Sequence, residues 1–576
     1  RMPYTPPLAE FRFLLDHVVG FDAVRATERF AEATPETTDA VLAEGGRLCA
    51  EVLAPLRRVG DTQPARLENG VVHTAPGFRE AYAELAEGGW IAVSAPPAHG
   101  GMGLPLTLQT ALNDMTAAAN LGLQTCVLLS QGQIEAIAAH ASEALQAAYL
   151  PHLISGAWSG TMNLTEPQAG SDVGALTTKA VPNGDGTFAI TGRKIWITYG
   201  DSDLVDNVVH LVLARLPGAP AGTRGISLFL VPKIIPGAED GPGRPNALRV
   251  AALEHKMGLH GSPTCEMEYD GATGWLVGAE GGGMAAMFTM MNNARLSVGT
   301  QGIGVACAAT QAARDWATER VQGRSPLPED AATGTIVDHA DVRRMLARMR
   351  AETFAARAIA LACAAAIDME TATGEAAWAA RAAFLTPIAK AYGTDVGNEV
   401  AHLAIQVHGG AGYVEDTGIA QYARDIRVAA IYEGTNGIQA MDLVARKLAD
   451  GGEAAQALLD AVEADAEAAR GALPDLARPL WQAAENLRET TDWLAVQPLQ
   501  ERFAGAVPYL RAWARVLGGQ AHLRAAMAEA DAAGPRTALA AVHIHRLLPE
   551  HAGLLAEARA GADGLYALTP DALAAA

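Results

Sequence analysis

A β-rich island interrupts a chain otherwise suited to helix, and this change of texture limits the possible folds more than any other feature. Residues 159–281 hold short β-forming runs: 188–192, Lys194-Ile195-Trp196-Ile197-Thr198, and the continuous apolar stretches 208–214 and 226–231. Asn183-Gly184-Asp185-Gly186 lies among them and predicts a hairpin turn, because glycine accepts the left-handed backbone such turns need. On both sides of the island alanine dominates. Hydrophobic residues make up 50% of the chain but aromatics only 5%, and alanine is the best helix former. The order helical, β, helical, helical predicts a mainly α protein with a central β-domain.

Punctuation divides the 576 residues further, and a chain of this length predicts about four domains. An N-terminal arm, 1–34, opens with prolines and continues in a short apolar helix over 11–18. A helical domain follows over 35–158. Its first helix can be capped by Thr34 and tolerates Pro35 in its first turn. A later helix over 134–150 is expected to stop at Pro151. The β-domain spans 159–281, and a helical bundle 282–450. Asp450-Gly451-Gly452 separates an additional helical domain, 451–576, with breaks expected at Pro474, Pro508, Gly518-Gly519 and Gly534-Pro535.

Several function classes are disfavoured. The net charge of −21 argues against non-specific nucleic-acid binding, which needs a basic surface. Five cysteines, widely spaced and without a CxxC pair, predict a reducing, cytoplasmic setting. The apolar run 358–367, bounded by Arg357 and Asp368, is too short to span a bilayer. The first residues lack a signal peptide's apolar stretch. The tail shows no Lys/Arg-rich amphipathic face that would lie on a membrane. Neither a GxxxxGK[ST] phosphate loop nor a GxSxG elbow occurs, and Gly409-Gly410-Ala411-Gly412 does not follow a strand as a dinucleotide fingerprint does. His543-Ile544-His545 has no third ligand nearby and reads as a packed or solvated pair.

Each of four remaining segments has both a chemical and a plain reading. Leu164-Thr165-Glu166-Pro167-Gln168-Ala169-Gly170-Ser171-Asp172 brings hydroxyls and backbone N–H groups together, as a ligand loop or as an ordinary turn. Alternation puts Trp196 and Thr198 on one strand face, suited to the edge of a flat ring or to a core tryptophan. Gln406-Val407-His408-Gly409-Gly410 allows close backbone approach or simply ends a helix. In Ile431-Tyr432-Glu433-Gly434-Thr435 a carboxylate sits in an apolar setting that would raise its pKa, as a base for a weak carbon acid needs. Taken alone, the segment reads first as a surface Glu before a turn.

In this order and on this helix–β–helix layout, the segments resemble the acyl-CoA dehydrogenase family from about residue 40 to 448. Lys256-Met257-Gly258-Leu259-His260-Gly261-Ser262-Pro263-Thr264-Cys265, Asn293-Ala294-Arg295 and Glu319-Arg320-Val321-Gln322-Gly323-Arg324 follow in family order. The resemblance implies non-covalent FAD, an acyl-CoA substrate, an electron-transferring flavoprotein as acceptor, and a homodimer or dimer of dimers. By position it assigns Thr165 and Thr198 to the isoalloxazine edge and Trp196 to packing on the flavin. Gly170 and Ser171 fall near the pyrophosphate or the pantetheine arm. Arg320, Gln406, Gly409 and Gly410 fall at positions that reach the FAD of a neighbouring subunit. Thr435 falls at FAD beside the base, and Arg295, Tyr432 and Gly434 at the substrate. Glu433 is the implied base. Some members carry the base beside the arginine matching Arg295, where this chain has Ala294, which cannot act as one.

Two positions depart from the family pattern. Val321-Gln322-Gly323 replaces a phenylalanine contact, and Gly437 stands where a glutamine often reaches the adenine end. The arm and the tail resemble the long branch that dehydrogenates 3-(methylthio)propanoyl-CoA in dimethylsulfoniopropionate breakdown. Dehydrogenases of other acyl chains and acyl-CoA oxidases share the core. A flavin monooxygenase on the same fold would not need Glu433, and a non-catalytic helical scaffold would purify colourless.

Overall fold

The computed structural model describes residues 4–238, 241–529 and 533–574. Residues 1–3, where the expected arm begins, lie outside the described residues. The chain forms two compact units. One comprises Glu44–Leu104 and Met115–Ala294; the other comprises Arg1–Ala43, Pro105–Asp114 and Arg295–Ala576.

The first unit contains the β-island. Strands Trp158–Asn163, Lys179–Pro182, Phe188–Thr198, Asn207–Arg215, Ile226–Pro232, Leu248–Leu253 and Thr264–Val277 make a seven-stranded sheet. Ile226–Pro232 pairs with both Asn207–Arg215 and Thr264–Val277, so that five strands close on one another. Asn207–Arg215 and Ile226–Pro232 are buried almost throughout, which is why their sequence is continuously apolar rather than alternating. The predicted hairpin forms between Lys179–Pro182 and Phe188–Thr198, with Gly184 and Gly186 at φ +85° and +89°. Helix Leu121–His140 lies against Trp158–Asn163. From that helix the Gln133 amide donates to the carbonyls of Thr161 and Val209 at 3.0 and 2.8 Å.

Pro151 does not stop a helix. The break falls earlier, where Ser142 caps a new helix, Glu143–Ser155, by accepting from the Leu145 N–H at 3.2 Å. Pro151 lies inside that helix. A local cap outweighs one missing backbone hydrogen bond.

In the second unit, Thr34 caps the first helix as expected, accepting from the Thr37 N–H at 3.1 Å. Long helices Ala340–Thr373 and Ala376–His408 pack on one another. Helix Ala506–Ala528 packs against Ala340–Thr373 and Asn436–Ala445. Asp450 opens the helix Glu453–Ala469 by accepting the N–H groups of Gly452, Glu453 and Ala454. Gly518-Gly519 is not a break but lies within Ala506–Ala528. A Cβ at Gly518 would fall 2.8 Å from that of Ala355, and one at Gly519 would fall 2.7 Å from Leu480. The glycines are there to let helices approach. His543 is buried, its Nε2 2.9 Å from the Arg515 carbonyl oxygen. All five cysteines are free and buried. Among the described residues, no helix is long and apolar enough to cross a membrane, and no cluster of His, Cys, Asp or Glu could hold a metal.

Candidate active site

The unit with the sheet holds one group of candidate residues. The loop after Trp158–Asn163 is fixed by a buried ion pair, Lys194 Nζ to Glu166 Oε2 at 2.7 Å. Lys194 also donates to the Leu164 carbonyl at 2.9 Å, and the Ile195 N–H donates to the Thr165 carbonyl at 3.0 Å. The other oxygen of Glu166 accepts from the backbone and hydroxyl of Thr177 at 2.8 and 2.9 Å. Burial pushes the Glu166 pKa up, but Lys194 and the threonine hydrogen bonds outweigh it and hold it at about 2. Burial draws Lys194 down to about 8, with Glu166 opposing. Sequence reading missed this pair. A lone lysine opening the run Lys194-Ile195-Trp196-Ile197-Thr198 was the available signal.

On Phe188–Thr198 the pairing with Thr264–Val277 slips by one residue between Lys194 and Ile197. Trp196 sits in that bulge at φ +60°. The bulge reverses the alternation, so Lys194 and Ile197 are both buried while Trp196 is 62% exposed. Trp196 is therefore not an ordinary core residue. Tyr199 is also left-handed, at φ +50°, its hydroxyl donating to the Gly122 carbonyl at 2.7 Å. Two non-glycine residues in this region within four positions store strain of the kind that concentrates at functional sites. Between them Thr198 is half-buried, as is Thr165. Neither hydroxyl is engaged in a hydrogen bond among the described residues. Gly170 and Ser171 are exposed, and a Cβ on Gly170 would meet nothing within 4 Å. An open indole face with uncommitted hydroxyls nearby is the surface a flat, polar-edged ring such as a flavin needs.

The helical unit holds the other residues. Tyr432-Glu433-Gly434-Thr435 leads into helix Asn436–Ala445, and Thr435 caps it by accepting from the Ile438 N–H at 3.2 Å. Glu433 and Gly434 are both left-handed, at φ +57° and +84°. The Glu433 carboxylate is half-buried and makes no hydrogen bond or ion pair among the described residues. Burial lifts its pKa to about 7, with the charges of Lys390 and Arg295 opposing. Arg295 is buried, its Nη1 3.4 Å from Asp442, and its Nε has no hydrogen-bond partner among the described residues. Tyr432 donates its hydroxyl to Gln301.

Sequence reading missed two residues here. Lys390, on Ala376–His408, donates to the Gly434 carbonyl at 2.8 Å and to Asn436 Oδ1 at 2.9 Å. A lone lysine within the apolar run 388–392 was the signal for the first; Asn436 had none.

Arg320, Gln406, Gly409 and Gly410 come together in the same unit. The Trp316 ring stacks on His408, with centroids 4.9 Å apart, and the Arg320 guanidinium lies 6.0 Å from the Trp316 ring centroid. Arg320, Gln406, Gly409 and Gly410 are all exposed, and Tyr413 beside them is 92% exposed. Gly409 is left-handed at φ +62°.

Comparison with known proteins identifies the family. The chain matches the acyl-CoA dehydrogenase N-terminal domain over 40–157, the middle domain over 161–272 and the C-terminal domain over 281–448. Residues 448–569 match a domain described as acetyl-CoA dehydrogenase C-terminal like. The chain is 44% identical to 3-methylmercaptopropionyl-CoA dehydrogenase of Ruegeria pomeroyi over 92% of each chain. It is 36% identical to a butyryl-CoA dehydrogenase of Syntrophomonas wolfei over 71% of this chain and 70% of that one. An acyl-CoA dehydrogenase from Bacillus anthracis, solved with FAD, shares the fold with a TM-score of 0.76 at 20% identity, covering 95% of this chain and 91% of that one. The chain thus belongs to the acyl-CoA dehydrogenase family, oxidoreductases that act on the CH–CH bond of an acyl-CoA with FAD as cofactor.

Proposed function

We propose that the chain dehydrogenates a short acyl-CoA thioester between Cα and Cβ, with Glu433 as the base and 3-(methylthio)propanoyl-CoA as substrate. The product is then 3-(methylthio)acryloyl-CoA. The observation that carries the reading of Glu433 is its carboxylate, which has no hydrogen-bond or ion-pair partner among the described residues and is desolvated to a pKa of about 7. A carboxylate engaged in an ion pair is a poor base, and one in water is too weak for a carbon acid.

The Cα–H bond breaks heterolytically and its proton passes to a Glu433 carboxylate oxygen. Negative charge then develops on the thioester oxygen and calls for a donor. The Glu433 N–H makes no hydrogen bond among the described residues and is available for that role. Bound FAD supplies the acceptor for the hydride that leaves Cβ. Thr165, Thr198 and Trp196 would hold its ring, Gly170 and Ser171 would lie near its pyrophosphate or the pantetheine arm, and Thr435 would touch it beside the base. Arg295, Tyr432 and Gly434 are assigned to the substrate. Arg320, Gln406, Gly409 and Gly410, all exposed, are assigned to the FAD of a second copy, so the working form is a homodimer or dimer of dimers. An electron-transferring flavoprotein then reoxidises the enzyme.

The substrate assignment is supported by the 44% identity with the Ruegeria enzyme, which extends over 92% of both chains. Anaerobic titration of the FAD-loaded protein with 3-(methylthio)propanoyl-, butanoyl- and octanoyl-CoA tests it. The flavin band should bleach at the lowest concentration with the first. Preference for octanoyl-CoA overturns the substrate, and peroxide release in place of flavoprotein reduction overturns the acceptor.

A further inference from the structure

Lysine is almost never fully buried unless paired with a counter-charge. Lys390 is fully buried on Ala376–His408, yet no carboxylate lies within ion-pair distance among the described residues. Both its hydrogen bonds go to neutral oxygens, the Gly434 carbonyl at 2.8 Å and Asn436 Oδ1 at 2.9 Å. Burial draws its pKa down to about 8, with Glu433 and Asp395 opposing and Arg295 reinforcing. An alanine or methionine would fill this helix position with no such desolvation cost.

The explanation lies in the loop it grips. Glu433 is a non-glycine residue in the left-handed region, which its Cβ disfavours, and Gly434 follows in the same region. Such a pair persists only where the surroundings over-determine it. The Gln439 amide also approaches the Gly434 carbonyl, at 3.3 Å. Asn436 donates to the Ala391 carbonyl, to Thr394 Oγ1 and to Asp395 Oδ1 at 3.2, 2.9 and 2.8 Å. Residues 390–395 of one helix thus grip the chain immediately after the base. Lys390 is the member that reaches the carbonyl of Gly434.

We propose that Lys390 is a positioning residue of the reaction. Its buried ammonium clamps the Gly434 carbonyl and the Asn436 carboxamide and so fixes the two left-handed residues that present the Glu433 carboxylate. This rests on Glu433 being the base. The groups facing Lys390 are Asp395 and Thr394 on its own helix, Glu433 and Gly434 on the loop, Asn436 and Gln439 on the following helix, and Arg295 on Gly283–Glu319.

The test uses the FAD-loaded full chain and the rate of anaerobic flavin reduction by substrate. Lys390→Met should slow reduction at least about 30-fold, a misplaced base being the cause. Affinity for the enoyl-CoA product should stay within about threefold. Loss of the cation should also move the acid limb of the rate profile to higher pH. Asn436→Ala cuts the neutral half of the clamp. It should slow reduction about tenfold with the limb unmoved. A Lys390→Met rate within about threefold of the parent overturns the proposal, whether or not the limb moves. Should Lys390→Met fail to hold FAD, Asn436→Ala decides by the same criteria. Loss of FAD together with activity in both variants makes Lys390 merely structural and also overturns it. Glu433→Gln in the same assay separates the two readings. If it reduces flavin, the base assignment fails on its own; if it is inert, the Lys390 result bears on the clamp alone.

Discussion

The Lys194 ammonium and the Glu166 carboxylate meet at 2.7 Å with neither side chain more than 2% exposed. The pair joins the candidate flavin loop to the bulged strand that carries Trp196. Removing one partner of such a pair leaves the other charge buried and unpaired, at a cost of about 3–5 kcal/mol. Glu166→Gln keeps hydrogen-bonding capacity and should fall near the lower end; Lys194→Met should fall near the upper end. Both should lower the thermal midpoint and the FAD content of purified protein together. Unchanged FAD content with a lowered midpoint would show that the pair supports the sheet and not the cofactor loop.

In the proposed reaction the Glu433 carboxyl, held near pKa 7 by burial, gives a pH dependence of defined direction. The base is useful only when deprotonated, so kcat/KM should rise with pH through about 7 and level off above it. Stability runs the opposite way. The folded pKa lies above the unfolded value of 4.5, so the protonated form is favoured by folding. That stabilisation is complete below about pH 4.5 and is lost as pH rises through 7. Glu433→Gln should therefore be inert yet more stable than the parent at pH 8, by about 1–2 kcal/mol after allowance for partial exposure, with no gain at pH 4.5. Thermal unfolding at the two pH values checks the sign, and an equal difference at both contradicts the burial argument.

The arm helix Leu8–His17 is tied to Ala340–Thr373 through Arg357, which is buried and bidentate to Asp114 at 2.7 and 3.1 Å and also pairs with Glu10. Arg357→Ala would strand the buried Asp114 carboxylate and leave Glu10 with Arg350 alone, and should cost about 3–5 kcal/mol. Burial pushes Glu10 up, but Arg357 and Arg350 outweigh it and hold its pKa at about 2. The stability Glu10 contributes is thus present above about pH 4.5 and is lost as pH falls towards 2. Limited proteolysis should cut the arm of Arg357→Ala, between residues 4 and 20, faster than that of the parent at neutral pH. Equal cutting rates would mean that apolar burial of Phe11, Leu14 and Leu15 suffices to hold the arm.

How much of this was legible in the sequence follows from the range of each interaction. The hairpin at 183–187, the cap at Thr34 and the fully buried strands are set by neighbouring residues or by composition, and local reading finds them. The bulge at Trp196 is different. Alternation puts Lys194, Trp196 and Thr198 on one face and cannot show that Lys194 is buried together with Ile197 while Trp196 stays exposed. That needs the partner strand Thr264–Val277, far along the chain. Lys390 and the Gly434 carbonyl are likewise 44 positions apart, and no periodicity reports a hydrogen bond of that span. Pro151 and Gly518-Gly519 were read as breaks by intrinsic propensity, which tertiary packing and a nearby cap overrule.

Gly518 offers the sharpest test of that last point, because propensity and packing predict opposite signs. In an isolated helix Gly→Ala gains about 1 kcal/mol. Here Gly518 faces Ala340–Thr373, and an added Cβ would fall 2.8 Å from that of Ala355 and 2.9 Å from the His543 ring. Both neighbours are buried, and His543 is held by its contact with the Arg515 carbonyl. Relief therefore requires the helices to separate, and overpacking of this kind costs about 1–3 kcal/mol. Gly518→Ala should be destabilising by about 1–2 kcal/mol net, and Ala355→Gly in the same chain should recover part of the loss by reopening the space. Denaturant unfolding of the single and double variants gives the coupling directly. A stabilised Gly518→Ala, or a double variant no better than the sum of the two, would mean that the glycine serves helix flexibility and not close approach.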